Sequence, residues 1–254
     1  MPQQTKTRLI IGCVVAIIVL IICSVLGYVL FRSFFLGSGV VKQDTRDVAG
    51  FSKIRLDTNG DIQLEQGSIE GLTVEAEDNV LPKIKTEVKD GTLVLSMSNA
   101  FPMIYPSKPV TFKVRVKDLN NMTINGSGSV TANRLQTDNL NLDIIGSGKI
   151  SMDVFVDKLT STINGNGDLN ISGNSNNQEI TINGSGKYVS DDMRGKDCNS
   201  TINGSGEIIV NCRSSLDITI NGTGSVSYYG SPTIGNQQIS GSGTIKKLGD
   251  AKRN

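Results

Sequence analysis

The stretch Ile182-Asn183-Gly184-Ser185-Gly186 is one copy of an element that recurs along the second half of the chain. A G-x-G element occurs seven times at spacings of 18 to 20 residues, and an isoleucine stands two positions before each first glycine. The isoleucine and the two glycines of the seven copies are Ile124, Gly126 and Gly128; Ile144, Gly146 and Gly148; Ile163, Gly165 and Gly167; Ile182, Gly184 and Gly186; Ile202, Gly204 and Gly206; Ile220, Gly222 and Gly224; Ile239, Gly241 and Gly243. A fixed period of this length is the signature of a repeat protein.

The residues around the motif predict strands that wrap into the coils of a solenoid. Four positions after each first glycine stands a second large side chain: Val130, Ile150, Leu169, Tyr188, Ile208, Val226 and Ile245. One coil can bury such side chains only by stacking on the coils above and below it. The glycines allow a positive φ or a close backbone approach at one corner, and the asparagines beside them can hydrogen-bond along the axis. We therefore predict an all-β fold, a parallel β-helix with coils of about 19 residues.

One outward-facing column predicts the register between coils. The residue after the second glycine is Lys149, Asp168, Lys187 and Glu207 in four successive copies, so its charge alternates in sign. Opposite charges on neighbouring strands contribute about 0.2–1 kcal/mol each, and like charges destabilise. The alternation predicts parallel, in-register stacking and does not indicate a binding site.

Upstream of the repeat, residues 48–119 alternate apolar and polar side chains, most clearly from Val110 to Val116. This pattern predicts short strands, and we assign them to the N-terminal part of the same domain. The repeat coils occupy residues 120–246, and residues 247–254 form a flexible tail. A left-handed β-helix, with a coil near 18 residues, is the structural rival. It needs an apolar period of six residues in all three thirds of each coil, and one third lacks it in most copies.

Residues 9–31 contain no charged side chain and are rich in Ile, Val and Leu. As a helix they would span ~34 Å, enough to cross a bilayer core of ~30 Å. Lys6 and Arg8 precede this run, which favours a cytoplasmic N-terminus. We predict a cytoplasmic tail (1–8), one uncleaved transmembrane helix and a linker (32–47) before an extracellular or periplasmic domain. A cleaved signal peptide is disfavoured because its apolar region is usually shorter.

The composition excludes several classes of function. The chain has 25 Lys and Arg against 24 Asp and Glu, a net charge of +1, and neither His nor Trp. Without histidine there is no His-dependent nucleophile and no His-ligated metal. A neutral chain has no electrostatic footprint for nucleic acid. Aromatic residues make up 5% of the chain, which disfavours a carbohydrate site built on stacked rings. We expect no catalytic residue, metal or cofactor.

Two acidic clusters keep an enzymatic alternative open, because parallel β-helices also include pectin-cleaving enzymes. The clusters are Asp191-Asp192 and Glu75-Ala76-Glu77-Asp78. Neither recurs on the coil period, so the sequence favours solvated surface positions.

Cys198 and Cys212 are the two cysteines of the predicted exterior domain. Cys198 occupies a column that otherwise holds Leu140, Leu159 and Leu216, and a free cysteine often serves as a small buried hydrophobe. A bridge would require Cα atoms within ~7 Å of each other. We expect two free thiols in preference to a disulfide.

The I-N-G-S-G of residues 124–128, 182–186 and 202–206, with the upstream strands at 51–56, 60–64 and 93–95, resembles the head GIN domain of "putative auto-transporter adhesins". The resemblance covers residues 45–245. It implies a right-handed parallel β-helix in a secreted or envelope-anchored protein, with an adhesive and non-enzymatic role. We expect a single-span surface protein that binds polysaccharide or protein. A carbohydrate-active enzyme and an envelope stress or regulatory scaffold are the alternatives, and the sequence determines neither ligand nor oligomeric state.

Overall fold

The computed structural model describes residues 14–28, 35–101 and 103–252. Within these ranges the chain forms a helix over residues 14–28, sixteen β-strands and a short 3₁₀ helix at Leu81–Lys83. The strands are β1 Val41–Arg46, β2 Lys53–Asp57, β3 Asp61–Gln66, β4 Gly71–Glu77, β5 Ile84–Lys89, β6 Thr92–Met97, β7 Thr111–Val116, β8 Asn121–Gly126, β9 Ser129–Gly146, β10 Lys149–Gly165, β11 Asp168–Gly184, β12 Lys187–Gly204, β13 Glu207–Gly222, β14 Ser225–Tyr229, β15 Thr233–Gly241 and β16 Thr244–Gly249.

The strands β9 to β13 each follow most of one coil and stack in parallel in chain order. β14 and β15 both pair with β13, and β16 pairs with β14. The register places Ile163 beside Ile182 and Ile182 beside Ile202. The predicted all-β solenoid with parallel, in-register coils is therefore confirmed. Its right-handed sense, implied by the resemblance, stays a prediction.

The N-terminal strands stack out of chain order. The coil formed by β2 and β3 lies between the coil of β6 and β7 on one side and the first repeat coil, β8 and β9, on the other. Beyond β6 and β7 the pairing turns antiparallel, with β5 on β6, β4 on β7 and β1 on β4. Antiparallel strands thus close this end of the solenoid.

The core is a set of columns that run along the axis. The motif isoleucines from Ile124 to Ile220 are completely buried, and Tyr188 is buried where other coils carry an aliphatic residue. Fully burying an Ile contributes about 1.5–3 kcal/mol. Because each coil supplies the same few columns, the fold needs no central aromatic cluster.

The two motif glycines are required for different reasons. Gly184 has φ +136°, and a Cβ on it would collide with the carbonyl oxygen of Gly165 on the preceding coil. Gly186 has an ordinary φ, but a Cβ there would lie 2.6 Å from Cγ2 of Ile163. The first glycine permits the backbone turn, and the second makes room for the buried isoleucine column.

The corner beside the glycines carries a ladder of amide side chains, as the sequence predicts. The Nδ2 group of Asn183 donates to Oδ1 of Asn164 at 2.8 Å, and Asn203 donates in the same way to Asn183 at 2.8 Å. Asn221 continues the ladder to Asn203 at 2.9 Å. Each asparagine thus donates a side-chain hydrogen bond to the amide oxygen of the asparagine on the preceding coil.

The predicted charge column is also in register. Lys149 faces Asp168, Asp168 faces Lys187, and Lys187 faces Glu207. Lys187 Nζ lies 2.7 Å from the Glu207 carboxylate, so this pair forms an ion pair on the coil surface.

The expectation of two free thiols is wrong: Cys198 and Cys212 form a disulfide, with Cα atoms 6.2 Å apart. Both residues are buried inside the coil. Irregularities in β12 place Cys212 opposite Gly195, three positions before Cys198. A separation of 14 residues, less than one coil, therefore suffices to bring the two side chains together.

Residues 14–28 are helical, and their apolar side chains are exposed. The rest of the predicted transmembrane helix, 9–13 and 29–31, lies outside the described residues, as does the predicted cytoplasmic tail. In the part of the chain that the structure describes, no helix has both the length and the hydropathy to cross a membrane. The predicted span stays a prediction.

Candidate functional site

An open groove of about 990 Å³ runs along the side of the solenoid, and we call it the side groove. Parts of β9, β10 and β11 line most of it, and the end of β3 with the turns after β3 and β7 lines the rest. Its lining residues are Gln66, Gly67, Lys117, Asp118, Asn120, Arg134, Gln136, Thr137, Asp138, Asn139, Phe155, Val156, Asp157, Asn174 and Asn176.

Phe155 is the one aromatic side chain that lines the side groove. Its neighbours Val154 and Val156 point into the core, so Phe155 points outward and is 41% exposed. The register places it between Gln136 on one coil and Asn174 on the next. A phenyl ring is thus held at the surface between two amide side chains.

The polar wall of the groove is partly fixed by hydrogen bonds. Gln66 Nε2 donates to the carbonyl oxygens of Gln136 at 2.8 Å and Lys117 at 3.1 Å. The amide N–H of Gln136 donates back to Gln66 Oε1 at 2.8 Å. On the coils below, Asn176 Nδ2 donates to Asp157 Oδ1 at 2.6 Å.

A β-bulge forms the rim of the groove at Arg134. Ala132 faces Met152 and Leu135 faces Val154, so two residues of β9, Asn133 and Arg134, face one residue of β10. Arg134 has φ +53°, a left-handed conformation that few non-glycine residues adopt. Bulges re-aim side chains, and this one directs an exposed guanidinium to the groove.

The charges in the groove nearly cancel. Lys117 and Arg134 are basic, and Asp118, Asp138 and Asp157 are acidic. Most other lining side chains are uncharged amides or hydroxyls. The groove therefore offers many hydrogen-bond donors and acceptors, one ring face and no strong field. Such a surface suits a neutral, hydroxyl-rich ligand better than a polyanion.

The acidic pair Asp191-Asp192 lies elsewhere on the solenoid and contacts the C-terminal tail. Lys252 Nζ forms ion pairs with Asp191 and, at 3.4 Å, with Asp192. The hydrogen bond to Asp191, together with the charges of both carboxylates, raises the pKa of Lys252 although partial desolvation opposes it. The same ammonium lies 4.9 Å from the ring centre of Tyr229. These contacts fasten the tail to the coils.

The second acidic cluster, Glu75 to Asp78, links β4 to its neighbours β1 and β7. Glu75 contacts Lys113 Nζ at 2.5 Å, and Asp78 lies 3.4 Å from Lys42 Nζ. The buried Glu77 carboxylate accepts hydrogen bonds from Ser107 Oγ and from the backbone N–H groups of Gly39, Ser107 and Lys108. Burial acts to raise the pKa of Glu77, but these hydrogen bonds outweigh it and the pKa is lowered.

Sequence reasoning missed the side groove and Phe155. A signal for Phe155 was available: in Met152-Asp153-Val154-Phe155-Val156 an aromatic residue occupies the outward phase of an alternating strand. The motif residues of the repeat have a structural role instead: their glycines and isoleucines pack the coils against one another.

Solved structures of bacterial proteins are similar to this chain. A "putative adhesin" of Bacteroides fragilis NCTC 9343 is 29% identical, with a TM-score of 0.80 over 84% of this chain and 100% of the other. Two proteins at lower identity share the fold. A "putative lipid binding protein" of Parabacteroides distasonis ATCC 8503 is 22% identical, with a TM-score of 0.70 over 84% of this chain and 99% of the other. A "putative adhesin" of Parabacteroides merdae ATCC 43184 is 21% identical, with a TM-score of 0.69 over 84% of this chain and 98% of the other. No curated protein matches the chain.

A family model matches residues 50–232, which include the closed end of the solenoid except β1, the side groove and most of the repeat coils. The match confirms the resemblance drawn from the repeated I-N-G-S-G motif. The chain belongs to the family described as "Putative auto-transporter adhesin, head GIN domain".

Proposed function

We propose that the chain is a non-enzymatic adhesive module of the cell surface and that the side groove binds a neutral glycan chain. Membership of the adhesin family supports a surface role. The observation that carries the glycan assignment is the exposed ring of Phe155 among hydrogen-bonding side chains in an open groove.

The geometry of a solenoid suits a repeating polymer. Stacked strands lie ~4.8 Å apart, so Gln136, Phe155 and Asn174 present side chains at a regular interval along the axis. A phenyl face packs against the apolar C–H face of a sugar ring, while neighbouring amides bond its hydroxyls. An open groove accepts the middle of a chain as readily as its end, as adhesion to polysaccharide requires.

The two acidic clusters lie outside the side groove, and of the three aspartates that line the groove Asp157 already accepts a hydrogen bond from Asn176; we take this placement to favour a non-enzymatic role. Glycoside hydrolysis needs two carboxylates that flank one bond. Asp191 and Asp192 share Lys252, and Glu77 accepts hydrogen bonds from the backbone of its own end of the fold. Both clusters serve to hold segments of the chain in place.

Attachment to the cell rests on the apolar run at residues 9–31, and a single-span anchor is part of the proposal. Membrane fractionation of cells that express the full chain tests it. Recovery with the membranes after a high-salt or carbonate wash supports the anchor, and release into the wash contradicts it.

A glycan array probed with the full chain in mild detergent tests the binding assignment. We expect retention on neutral polysaccharides and loss of that retention when Asn174 and Asn176 are both replaced by Ala. Gln63→Ala, an exposed amide outside the side groove, should bind like the unmodified chain. Failure of every neutral glycan to retain the protein would contradict the proposal, as would equal retention of the Asn174 and Asn176 variant.

A further inference from the structure

The two ends of the solenoid differ in how they are covered. At the N-terminal end β1 and β5 are the outermost of the described strands, and each pairs in antiparallel fashion with the strand inside it. Both strands alternate charges along their length: Lys42, Asp44 and Arg46 on β1, and Lys85, Glu87 and Lys89 on β5. Charged, short edge strands are a common protection against pairing with other chains. This end is closed.

At the other end, the outermost of the described strands are β15 and β16. Ile239 belongs to the buried isoleucine column, yet it is 40% exposed, whereas Ile220 on the coil before it is 0% exposed. Leu248 is likewise 37% exposed. Ile239 is accessible because no described coil stacks on it. The described tail does not cover it either, since Lys252 turns back along the side to Asp191.

The two outermost strands of this end differ: β16 carries Lys246 and Lys247, whereas the outer edge of β15 has no protection of the kind seen on β1 and β5. The strand has nine residues, Thr-Ile-Gly-Asn-Gln-Gln-Ile-Ser-Gly, with neither a charge nor a proline. Its inner edge is paired with β13, so its outer edge presents backbone N–H and C=O groups. Long, uncharged edges with apolar side chains are templates for strand pairing. Solenoids normally need a polar terminal coil for solubility.

We propose that this coil end is the docking surface for a second copy of the chain, which stacks end to end in a two-fold dimer. In such a dimer the exposed Ile239 side chains are covered and edge strand pairs with edge strand. The two-fold axis makes this pairing antiparallel, unlike the parallel pairing between coils. Since β15 is uncharged, two copies meet without repulsion along this strand. Because the N-terminal ends are closed, association stops at two and does not yield fibres.

The surface available to the dimer is small. Each partner contributes about one coil of residues, slightly below the ~20–30 residues a side of a standard interface. We therefore expect a reversible dimer whose population rises with protein concentration. In this arrangement the two N-terminal ends lie at opposite extremes of a doubled rod, so two modules that project from facing surfaces would join at their tips.

Light scattering coupled to size-exclusion chromatography of the full chain in detergent, over a range of concentrations, tests the dimer. Ile239→Lys should yield a monomer at concentrations at which the unmodified chain is a dimer. The matched control is Val41→Lys, an exposed aliphatic residue on the closed end, which should remain dimeric. All three proteins share residues 9–31, so association through that segment would be unaffected by either substitution.

A second variant and a hydrogen-exchange measurement distinguish loss of the dimer from loss of the fold. Gln237→Lys charges the same edge at an exposed position, so it replaces Ile239→Lys if that variant melts at a lower temperature. Amide hydrogen exchange of β15 should slow as protein concentration rises. A chain that is monomeric at every concentration overturns the proposal. So does a dimer that survives Ile239→Lys and Gln237→Lys, or one that Val41→Lys alone dissociates.

Discussion

Gly186 lies directly against Ile163 of the preceding coil: a Cβ on Gly186 would be 2.6 Å from the Cγ2 methyl of that isoleucine. The same relationship recurs between Gly206 and Ile182, at 2.7 Å, and between Gly224 and Ile202, at 2.6 Å. A glycine on one coil thus makes room for the core residue of the coil before it. This contact explains why the period combines isoleucine with G-x-G.

Gly186→Ala should therefore destabilise the protein although the φ angle of this residue is ordinary. An added methyl group in a packed core costs about 1–3 kcal/mol, and both the Ile163 side chain and the Gly167 carbonyl oxygen lie in its way. Urea unfolding measures the loss. Gly67→Ala is the control, because a Cβ on Gly67 meets nothing within 4 Å. Equal stability of the two variants would contradict the packing role of the second glycine.

Lys187→Glu should lower stability by about 0.2–1 kcal/mol, since it replaces an ion pair with Glu207 by a like-charge contact and adds repulsion with Asp168. Both partners of the ion pair are partly exposed, so salt screens the effect. We expect the loss in melting temperature to be larger at low salt than at high salt. Lys85→Glu, whose cross-strand partner is the uncharged Ser96, should show a smaller salt dependence, because only Glu87 on the same strand can repel the new carboxylate. A loss that does not vary with salt would count against an electrostatic origin.

Replacing both Cys198 and Cys212 by Ser should lower stability by about 3 kcal/mol, the loop-closure estimate for a bridge over some 15 residues. Reductant should lower the melting temperature of the unmodified chain and leave the double variant unchanged. Thiol titration in denaturant without reductant should find two of the four cysteines reactive. Four reactive thiols would show that the bridge does not form.

Glu77→Gln should destabilise the protein near neutral pH, because a carboxamide cannot accept all the hydrogen bonds that the carboxylate receives. Hydrogen bonds to charged groups contribute about 1.5–3 kcal/mol each, so we expect a loss of at least that size. The pKa of Glu77 is lowered in the folded protein, so its contribution is complete above the ordinary value of 4.5 and declines as the pH falls below it. The gap in unfolding free energy between the two proteins should narrow below about pH 4.5. A gap independent of pH would contradict this account.

The repeat coils could be predicted from the sequence because their determinants are periodic. The isoleucine column, the glycine pairs, the asparagine ladder and the charges of Lys187 and Glu207 all recur at one corner of the coil. Because successive coils stack in register, residues about 19 positions apart in the sequence contact each other. The register therefore follows from the period.

The side groove could not be predicted in this way because it lies where the period breaks. The bulge at Asn133 and Arg134 changes the local residue count, and the irregularities of β12 bring Cys212 towards Cys198. The wall from Gln66 to Lys117 depends on strands that stack out of chain order. The first two of these features arise where two adjacent coils differ in length and a bulge takes up the extra residues. The repeat period does not encode the position of such a bulge.

Binding of a neutral glycan in the side groove depends, in our proposal, on the exposed ring of Phe155. Isothermal titration of the full chain with an oligosaccharide identified on the array, carried out in parallel with Phe155→Ala, tests it most directly. The matched control is Phe101→Ala, which removes an exposed phenyl ring outside the groove. We expect Phe155→Ala to weaken binding at least tenfold at an unchanged melting temperature, and Phe101→Ala to bind like the unmodified chain. Equal affinities for all three proteins would contradict the claim.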